Sequence, residues 1–286
     1  MSHKHQSLLS WRPLAGRELP LLAALFLSLA LVTAGYVLWL PDVSALKTKN
    51  PKVTSYMLLS ELRDRAKGRK SRRLMLWRSL DRISPNLRNA VVASEDDNFY
   101  QHSGIDWDST LEALRTDWEE KRLARGGSTI TQQLARNLYL SPSKNPFRKL
   151  KEMLIAKRLE KELGKRRILE LYLNVVEWGR GIYGAEAAAR TYFGKPASDL
   201  TPEEAAALAA VLPSPRRYNP VGGTRFMERQ KRRIIARMSA DGYLPEGYGE
   251  EDGEAPEAST ATAAGAPETV STSPAAGAAE GFSSPR

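Results

Sequence analysis

The stretch ILELYLNVV, from Ile168 to Val176, carries apolar residues around most of the circumference of a helix. A helix that is apolar on nearly every side is surrounded by other elements, so this segment is predicted to be a central buried helix. From about Val53 to Leu244, apolar positions recur at helical spacing, and runs that alternate with a period of two are scarce. We therefore expect a mainly α domain.

Capping signals mark the starts of three further helices. Ser84 precedes Pro85, and proline is favoured at the first helical position. Thr129 and Gln132 have the spacing of a capping box, in which two side chains satisfy backbone N–H groups reciprocally. The segment Thr201–Glu204 combines both signals. Apolar residues at helical spacing indicate two more helices. One contains Trp107, Leu111, Leu114 and Trp118, and the other contains Phe147, Leu150 and Leu154.

An uncharged apolar run, Leu21–Leu40, precedes this domain. At 1.5 Å per residue it spans about 30 Å, the thickness of the hydrocarbon core of a bilayer. Val43-Ser44-Ala45 resembles a signal-peptide cleavage site, but the run is longer than the roughly 7–15 apolar residues of a signal peptide, which favours a retained transmembrane helix. Basic residues do not set its orientation, because three precede it (Lys4, Arg12, Arg17) and three follow it closely (Lys47, Lys49, Lys52).

The remaining chain divides by composition. Residues 1–20 precede the span, residues 41–79 form a basic membrane-proximal segment, and residues 80–245 form the main domain. Glu246–Arg286 consists largely of Ala, Glu, Gly, Ser, Thr and Pro. Such a segment cannot bury enough apolar surface to offset its ordering entropy, so we predict a disordered acidic tail.

The charge balance predicts an anionic partner. Lys and Arg number 43 and Asp and Glu 33, which gives +10 for the whole chain. The predicted tail holds eight acidic residues and one basic residue, so it carries −7 and the rest carries +17. A nucleic acid, a phospholipid surface or a phosphorylated substrate would each suit this charge. The chain has no Cys, which excludes disulfides, Cys-containing zinc sites and thiol nucleophiles, and three His argue against a multi-His metal site.

The densest polar cluster, Ser94–Gly104, directly follows the helix predicted to begin at Pro85. Glu95 would lie near the C-terminal end of that helix and beside two further carboxylates, and both features disfavour its ionised form. Its proton affinity should therefore be raised, as a general base requires. A solvated acidic turn is an equally good interpretation of the spacing alone, and His102 by itself is typical of a structural hydrogen-bonding residue.

A glycine turn and a cluster of cations follow this segment. The turn at Gly126 and Gly127 leads into the helix capped by Thr129, and such a turn can bring backbone donors close to an anion or a sugar, although it can also be a plain loop. It lacks the Gly-Lys-Ser/Thr ending of a P-loop. Glu152 has the spacing of a surface ion pair with Arg148, but together with Glu95 it also supplies the two carboxylates needed for substitution at an anomeric carbon. The nearby cations are Arg136, Lys144, Arg148, Lys149 and Lys151.

These stretches together resemble the peptidoglycan glycosyltransferases of the lysozyme-like membrane family, in particular the monofunctional bacterial enzymes. The resemblance runs from Leu80 to Pro220, close to half the chain, and its motifs occur in the family's order. Each motif alone is weak, whereas five in order are specific. They are EDDNFYQHSG (Glu95–Gly104), GGSTITQQLARN (Gly126–Asn137), FRKLKE (Phe147–Glu152), KRRILELYLNVVEWGRGIYG (Lys165–Gly184) and AALAAVLPSPRRYNP (Ala206–Pro220).

The resemblance implies a lysozyme-like, two-lobed fold that polymerises glycan from lipid II. The 4-hydroxyl of an N-acetylglucosamine would attack C1 of the donor's N-acetylmuramic acid with inversion, forming a β-1,4 bond and releasing undecaprenyl diphosphate. Glu95 matches the base. Glu152 matches the second glutamate, which would assist departure of the diphosphate directly or through a divalent cation, Mg or Mn, and no organic cofactor is implied.

Further site residues follow from matching the same motifs. Arg136 stands where the family commonly has lysine and Lys144 where it commonly has arginine, which keeps the charge but changes the geometry of phosphate binding. Glu177 and the glycines of the fourth motif would shape the cleft. The residues implied to contact the substrate are Asp96, Phe99, His102, Gly104, Ser128, Thr129, Gln132, Gln133, Arg136, Asn137, Lys144, Arg148 and Lys149.

The implied function also sets the topology. The chain would cross the bacterial cytoplasmic membrane once, with its N-terminus in the cytoplasm and its catalytic domain in the periplasm. Its partners would be lipid II, the growing glycan chain, membrane lipids and other cell-wall synthesis proteins, and not nucleic acid. No transpeptidase activity is expected, because Lys-Thr-Gly is absent and both Ser-x-x-Lys matches, Ser44–Lys47 and Ser141–Lys144, lie outside such a domain.

Two alternatives remain open at this level. A membrane-anchored lytic glycosidase would also use a glutamate in a helical cleft, but the cationic cluster has an evident use only for a diphosphate leaving group. A non-enzymatic anchor could bind anionic lipid or polymer through its basic surface, but it would have no need of Glu95.

Overall fold

The computed structural model describes residues 18–120, 127–143, 145–245 and 248. The predictions for residues 1–17, Gly126, Lys144 and all of the acidic tail except Tyr248 lie outside this part of the chain. The described part is mainly α, which confirms the predicted fold class. Its helices are α1 (Glu18–Leu38), α2 (Ser55–Ala66), α3 (Pro85–Glu95), α4 (Trp107–Glu120), α5 (Ile130–Tyr139), α6 (Pro146–Glu162), α7 (Lys165–Val175), α8 (Ala185–Phe193), α9 (Pro202–Val211) and α10 (Arg225–Ala240).

A small sheet joins the membrane-proximal segment to the main domain. It consists of β1 (Leu74–Met75), β2 (Glu177–Gly179) and β3 (Ile182–Tyr183) in the order β1-β3-β2. β1 pairs parallel to β3, and β2 pairs antiparallel to it with an irregular register. Gly181 has a φ of +70°, and a Cβ atom there would lie 2.1 Å from the carbonyl oxygen of Arg72, so this turn requires glycine.

The predicted central helix is α7, and it lies at the centre of the core. Ile168, Leu169 and every residue from Leu171 to Val175 are buried. α7 packs against α5, α6 and α8, while α3, α9 and α10 form a second packed set. Because polar residues in a fully buried helix need partners, Asn174 Oδ1 accepts from the backbone N–H of Arg78 at 2.8 Å and its Nδ2 donates to the Arg78 carbonyl.

The predicted helix starts are found at the expected residues. Ser84 caps α3 with Pro85 at the first position, and Thr201 and Glu204 form a complete capping box at α9. At α5, Thr129 Oγ1 accepts from the backbone N–H of Gln132 at 3.2 Å, as predicted. The other half of that predicted box differs, because Gln132 Oε1 accepts from Lys149 Nζ at 3.0 Å. The sequence therefore predicted the start of α5 correctly. It did not predict that the Gln132 side chain would bond to Lys149 in place of the backbone N–H of Thr129.

The helices α4 and α6 are also present, but part of the apolar face predicted for each is exposed. Trp107 and Leu111 of α4 are each about half exposed, and so are Phe147 and Leu150 of α6. Helical periodicity thus identified both elements correctly, but it did not predict that these side chains are exposed.

One helix among the described residues is long and apolar enough to cross a membrane, Pro20–Leu38 within α1. It agrees with the predicted span to within a few residues, and most of its side chains are exposed. It contacts the domain through α6, where Lys151 Nζ donates to the carbonyl oxygen of Tyr36 at 2.7 Å and lies 4.2 Å from the centre of the Tyr36 ring.

α2 belongs to the segment predicted to be membrane-proximal, and a buried network of charges ties it to the domain. Arg216 Nε donates to both carboxylate oxygens of Glu177, at 3.0 and 2.9 Å, and its Nη1 donates to Asp64 Oδ1 at 3.2 Å. Arg180 Nη1 also donates to Asp64, at 3.0 Å. Asp64 and Glu177 are both buried, so their charges are compensated inside the protein. The main domain therefore packs against chain that precedes the predicted boundary at residue 80.

Candidate active site

Glu95 is the last residue of α3, and its carboxyl group lies where the two sets of helices meet. α3 packs with α9 and α10, while Gln133 of α5 donates from Nε2 to Glu95 Oε2 at 2.7 Å. Burial raises the pKa of Glu95 above its ordinary value. The Gln133 hydrogen bond and the Arg136 charge oppose this rise, and the Asp96 charge adds to it. The raised pKa makes Glu95 a better proton acceptor, as a general base requires.

The direction of this pKa shift agrees with the prediction, but the main cause differs. The sequence suggested the helix end and the adjacent acidic side chains, whereas burial is the largest contribution and Asp96 a smaller one. The alternative of a solvated acidic turn does not describe Glu95, because protein atoms enclose most of its carboxyl group. It does describe Asp97, which is exposed.

A buried tyrosine fixes the amide that holds Glu95. Tyr172 lies on the central helix α7, and its hydroxyl donates to Gln133 Oε1 at 3.0 Å. Burial and the Glu95 charge raise the pKa of Tyr172 well above its usual range, so it remains a donor. With Oε1 engaged in this way, Gln133 must present its Nε2 donor to Glu95. Sequence reasoning placed Gln133 among the substrate contacts and missed Tyr172, whose position on an apolar helix gave no sign of this contact.

Asp96 and His102 bond to each other and to the start of α5. Asp96 Oδ2 accepts from the backbone N–H of Ile130 at 2.9 Å, and Asp96 Oδ1 lies 2.8 Å from His102 Nε2. Since His102 Nδ1 accepts from the backbone N–H of Gly104 at 3.1 Å, Nε2 carries the proton and donates to Asp96. Thr129 Oγ1 in turn donates to the Gly104 carbonyl at 2.7 Å. These four hydrogen bonds position the segment that follows Glu95.

Two further predicted substrate residues of this segment are enclosed. Phe99 is fully buried, with Lys165 Nζ 4.5 Å from the centre of its ring. Gly104 has a φ of +88°, and a Cβ atom there would lie 2.9 Å from Glu160 Cγ. Both residues support the loop through packing. Their roles as substrate contacts, and those of Asp96 and His102, remain predictions.

Glu152 lies within a second, differently built cluster on α6. Its side chain is fully buried, and each of its oxygens accepts from a cation: Oε1 from Lys149 Nζ at 2.7 Å, and Oε2 from Arg148 Nη1. Lys149 Nζ also donates to Ser128 Oγ at 2.9 Å and to Gln132 Oε1. Arg148 is buried as well, which excludes the alternative of an ordinary surface ion pair.

α5 connects the two carboxylates. Its neighbouring glutamines point to different clusters, with Gln132 at Lys149 and Gln133 at Glu95. A small cavity of about 40 Å³ is lined by both Glu95 and Ser128, and Ser128 accepts from Lys149, so the cavity extends from Glu95 to the edge of the Glu152 cluster. Arg136 is half-buried on the same helix and close enough to lower the pKa of Glu95, and Asn137 is buried beside it.

A larger cavity of about 310 Å³ opens on the other side of Glu95. Gln230, Arg233 and Arg237 of α10 line it together with Glu95. Sequence reasoning did not select these two arginines, although the charge of +17 on the body of the chain is the signal that could have directed attention to them.

The residues around Glu152 do not fit a metal ion held by the protein. A hard divalent cation takes several oxygen ligands, and carboxylates are prominent among them. Both oxygens of Glu152 are already engaged by cations. Among the described residues, no group of three or more His, Cys, Asp or Glu side chains is arranged to hold a metal. We therefore derive no step of the reaction through a metal.

Two carboxylates in unlike environments, one of which lines a cavity, suit an enzyme that acts at an anomeric carbon. Comparison with known proteins leads to the same class of enzyme. The family model described as transglycosylase matches residues 61–239, and the chain therefore belongs to the transglycosylase family.

Several similar proteins carry the name biosynthetic peptidoglycan transglycosylase. The protein of that name from Aromatoleum aromaticum is 48% identical over 224 residues, covering 78% of this chain and 94% of its own length. Its counterpart from Azoarcus sp. is 47% identical over 216 residues, covering 76% and 93%. That from Nitrosospira multiformis is 45% identical over 191 residues, covering 67% and 83%. These matches confirm the family that the five motifs indicated.

Proposed function

We propose that this transglycosylase polymerises peptidoglycan from lipid II, with Glu95 as the general base. One observation carries this assignment: Glu95, a desolvated carboxylate with a raised pKa, lines a cavity together with Ser128, and Ser128 accepts from Lys149, one of the two cations paired with the buried Glu152. Glu95 is suited to take a proton, and Glu152 keeps positive charge in place for a diphosphate.

The proposed reaction is one inverting substitution. Glu95 removes the proton from the 4-hydroxyl of the acceptor sugar as that oxygen attacks C1 of the donor. The bond between C1 and the diphosphate oxygen breaks, and its electron pair leaves with undecaprenyl diphosphate. The proton stays on Glu95 until it passes to solvent. Gln133 and Tyr172 are positioning residues, since they hold Glu95 and do not touch the reacting atoms.

Lys149 and Arg148 would stabilise the leaving diphosphate. Lys149 Nζ donates to Ser128, which lines the cavity, and Glu152 fixes both cations by hydrogen bonds to its two oxygens. Fixed donors need no reorganisation as charge develops on the leaving group, which lowers the barrier. Arg136 and Lys144 are proposed to contact the diphosphates of the two substrates. In this mechanism, the protein's own cations supply the charge that a divalent cation would otherwise contribute.

We further propose that α1 crosses the cytoplasmic membrane with the catalytic domain outside. The apolar, exposed helix supports the anchor, and the requirement for extracytoplasmic glycan supports the orientation. Alkaline phosphatase fused after Arg286 should be active, because that reporter folds only outside the cytoplasm. If this fusion is inactive and a reporter that works only in the cytoplasm is active at the same position, the catalytic domain lies in the cytoplasm and the proposed topology is wrong.

A polymerisation assay tests the proposed activity. Purified full-length protein in detergent should convert lipid II to long glycan chains separable on a gel, and Glu95→Gln should abolish this while lipid II binding persists. If the protein instead shortens preformed peptidoglycan, it is a hydrolase. Continued polymerisation by Glu95→Gln would remove Glu95 from the mechanism.

A further inference from the structure

A basic cavity lies outside the candidate active site. Its volume is about 330 Å³, within the roughly 300–1,000 Å³ usual for small-molecule sites. None of its lining residues lines either of the two cavities beside Glu95, and the proposed reaction uses none of them. The lining residues of this cavity, here called the Arg88 cavity, are Leu80, Arg88, Asn89, Tyr100 and Arg166.

Two arginines give the Arg88 cavity its charge. Arg166 donates to Asp81, but both side chains of this pair are largely exposed, and exposed ion pairs are weak. Arg88 is half-buried and forms no ion pair among the described residues. A guanidinium group has five N–H donors, so both arginines have donors left for an anionic ligand.

A phenol and an amide complete the polar lining. Tyr100 is 59% exposed, and its ring packs edge-on against the buried ring of Phe99, with 5.0 Å between the ring centres. Burial raises the pKa of Tyr100, and the charges of Arg88 and Arg166 oppose this rise, so both cations lie near its hydroxyl. Together with the half-buried Asn89, these groups offer hydrogen bonds to both a carboxylate and an amide.

The Arg88 cavity lies at a short distance from the proposed base. Arg88 and Glu95 are both on α3, separated by about two helical turns. Residues at this spacing share one face of a helix and lie about 10 Å apart along its axis. An extended peptide of about three residues spans that distance. A substrate with a sugar hydroxyl at Glu95 can therefore reach Arg88 with a short peptide.

We propose that the Arg88 cavity binds a carboxylate of the peptide that the acceptor subunit carries, so that the enzyme recognises the peptide part of its substrate as well as the sugar. This inference rests on the proposed function for the identity of the ligand. The planar guanidinium groups match the geometry of a carboxylate, and the Asn89 amide can bond to the peptide backbone. The leaving diphosphate is assigned to Arg148 and Lys149, so the two basic clusters serve different anions.

Direct binding tests this inference without requiring catalysis. Full-length protein in a non-ionic detergent would be titrated in a calorimeter with a soluble disaccharide peptide, the sugar and peptide part of a peptidoglycan subunit. The same ligand with amidated carboxylates should bind about tenfold more weakly, the scale of one charge-assisted hydrogen bond. Equal binding of the two ligands would overturn the proposal. Equally tight binding of an unrelated acidic peptide would also overturn it and would indicate a protein segment as the ligand.

Matched variants locate the contact. Arg88→Gln should lower the affinity for the acidic ligand about tenfold and leave the affinity for the amidated ligand unchanged, because both changes remove the same interaction. Arg82→Gln replaces an exposed arginine that does not line the cavity, and it should change neither affinity. If Arg88→Gln fails to fold, Arg166→Gln, at an exposed position, should show the same selective loss.

Binding and polymerisation can fail separately. If neither cavity variant loses affinity for the acidic ligand, or if Arg82→Gln loses as much, the Arg88 cavity does not bind the peptide, whatever the polymerisation assay shows. If the protein distinguishes the acidic from the amidated ligand but does not polymerise lipid II, the result counts against the proposed function alone.

Discussion

Glu95 lines a cavity while Glu152 is fully buried, and their surroundings are opposite in character. Glu95 accepts a hydrogen bond from a neutral amide and has a raised pKa because it is buried. Glu152 is more deeply buried, but both of its oxygens accept from cations. Burial alone therefore does not decide what a carboxylate does. Glu95, held by a neutral amide, is suited to accept a proton, whereas Glu152, held by two cations, keeps those cations in place.

The largest expected effect is on catalysis by Glu95→Gln. Polymerisation of lipid II should fall at least about 100-fold, the usual contribution of a general base. A matched Asp97→Asn change, at the exposed neighbour, should have little effect on the polymerisation rate.

The same Glu95→Gln change should stabilise the fold at neutral pH. Because the folded-state pKa of Glu95 is raised, its stabilising contribution is present below the unfolded pKa of about 4.3 and is lost as pH rises through the folded pKa. The ionised carboxylate therefore costs stability at pH 7, and glutamine removes that cost. The variant should melt at a higher Tm at pH 7, with the difference vanishing near pH 4. An unchanged or lower Tm at pH 7 would contradict this account of Glu95.

Glu152→Gln should have the opposite effect on stability. It leaves Arg148 and Lys149 without their counter-charge, and removing one partner of a buried ion pair costs about 3–5 kcal/mol. Lys149 is partly exposed, which favours the lower end of that range. Urea-induced unfolding would measure this loss in the free energy of unfolding. The control is Glu228→Gln, whose partner Lys231 forms a more exposed pair worth about 0–1 kcal/mol. Equal losses in the two variants would show that Glu152 is not the buried anchor described above.

Gln133→Leu should change the pH dependence of the reaction. Since the Gln133 hydrogen bond lowers the pKa of Glu95, its loss raises that pKa and moves the acidic limb of the pH–rate profile to higher pH. The rate at neutral pH should fall about fivefold, the equivalent of a hydrogen bond worth about 1 kcal/mol. Initial rates at low lipid II concentration, measured across pH, would show this.

The matched control for Gln133→Leu is its neighbour on α5. Gln132→Leu affects Lys149 and should leave the acidic limb unchanged. The other groups around Glu95 stay in place in both variants, so they cannot account for a difference between them. These groups are Asp96, Asp97, Arg136, Tyr172, Arg233 and Arg237. Identical pH–rate profiles for Gln133→Leu and Gln132→Leu would show that the two glutamines do not act on different carboxylates.

Tyr172→Phe should produce a smaller shift in the same direction. Without the hydroxyl, the Gln133 amide can turn and present its oxygen to Glu95 part of the time. Because Tyr172 acts through Gln133, the double variant Tyr172→Phe/Gln133→Leu should shift the acidic limb no further than Gln133→Leu alone. Additive shifts would mean that Tyr172 influences Glu95 by another route.

Local features of the fold could be predicted from the sequence, because their partners lie a few residues apart. The capping box of Thr201 and Glu204 and the proline start at Pro85 are of this kind. α7 was predictable since its apolar residues surround the helix. The exposure of apolar side chains on α4 and α6 was not predictable. Periodicity shows that one face of a helix is apolar, but it does not show whether another element covers that face.

The site itself could be predicted only in part. Glu95 and Glu152 stood out by type and spacing, but the Tyr172–Gln133 contact joins residues 39 positions apart, and no local pattern marks it. His102 is a polar residue beside a candidate base, yet both of its ring nitrogens are used within the protein. Whether a polar side chain faces a ligand or its own fold depends on tertiary neighbours, which one sequence does not specify.

The contact between Asp64 and Arg216 also has a consequence for the order of folding. The two residues are 152 positions apart, so at about 5–20 residues per second Arg216 is synthesised roughly 8–30 s after Asp64. Until then, Asp64 lacks one of the charges that make its burial favourable. The charge network that compensates Asp64 in α2 is therefore completed only after most of the domain has been synthesised.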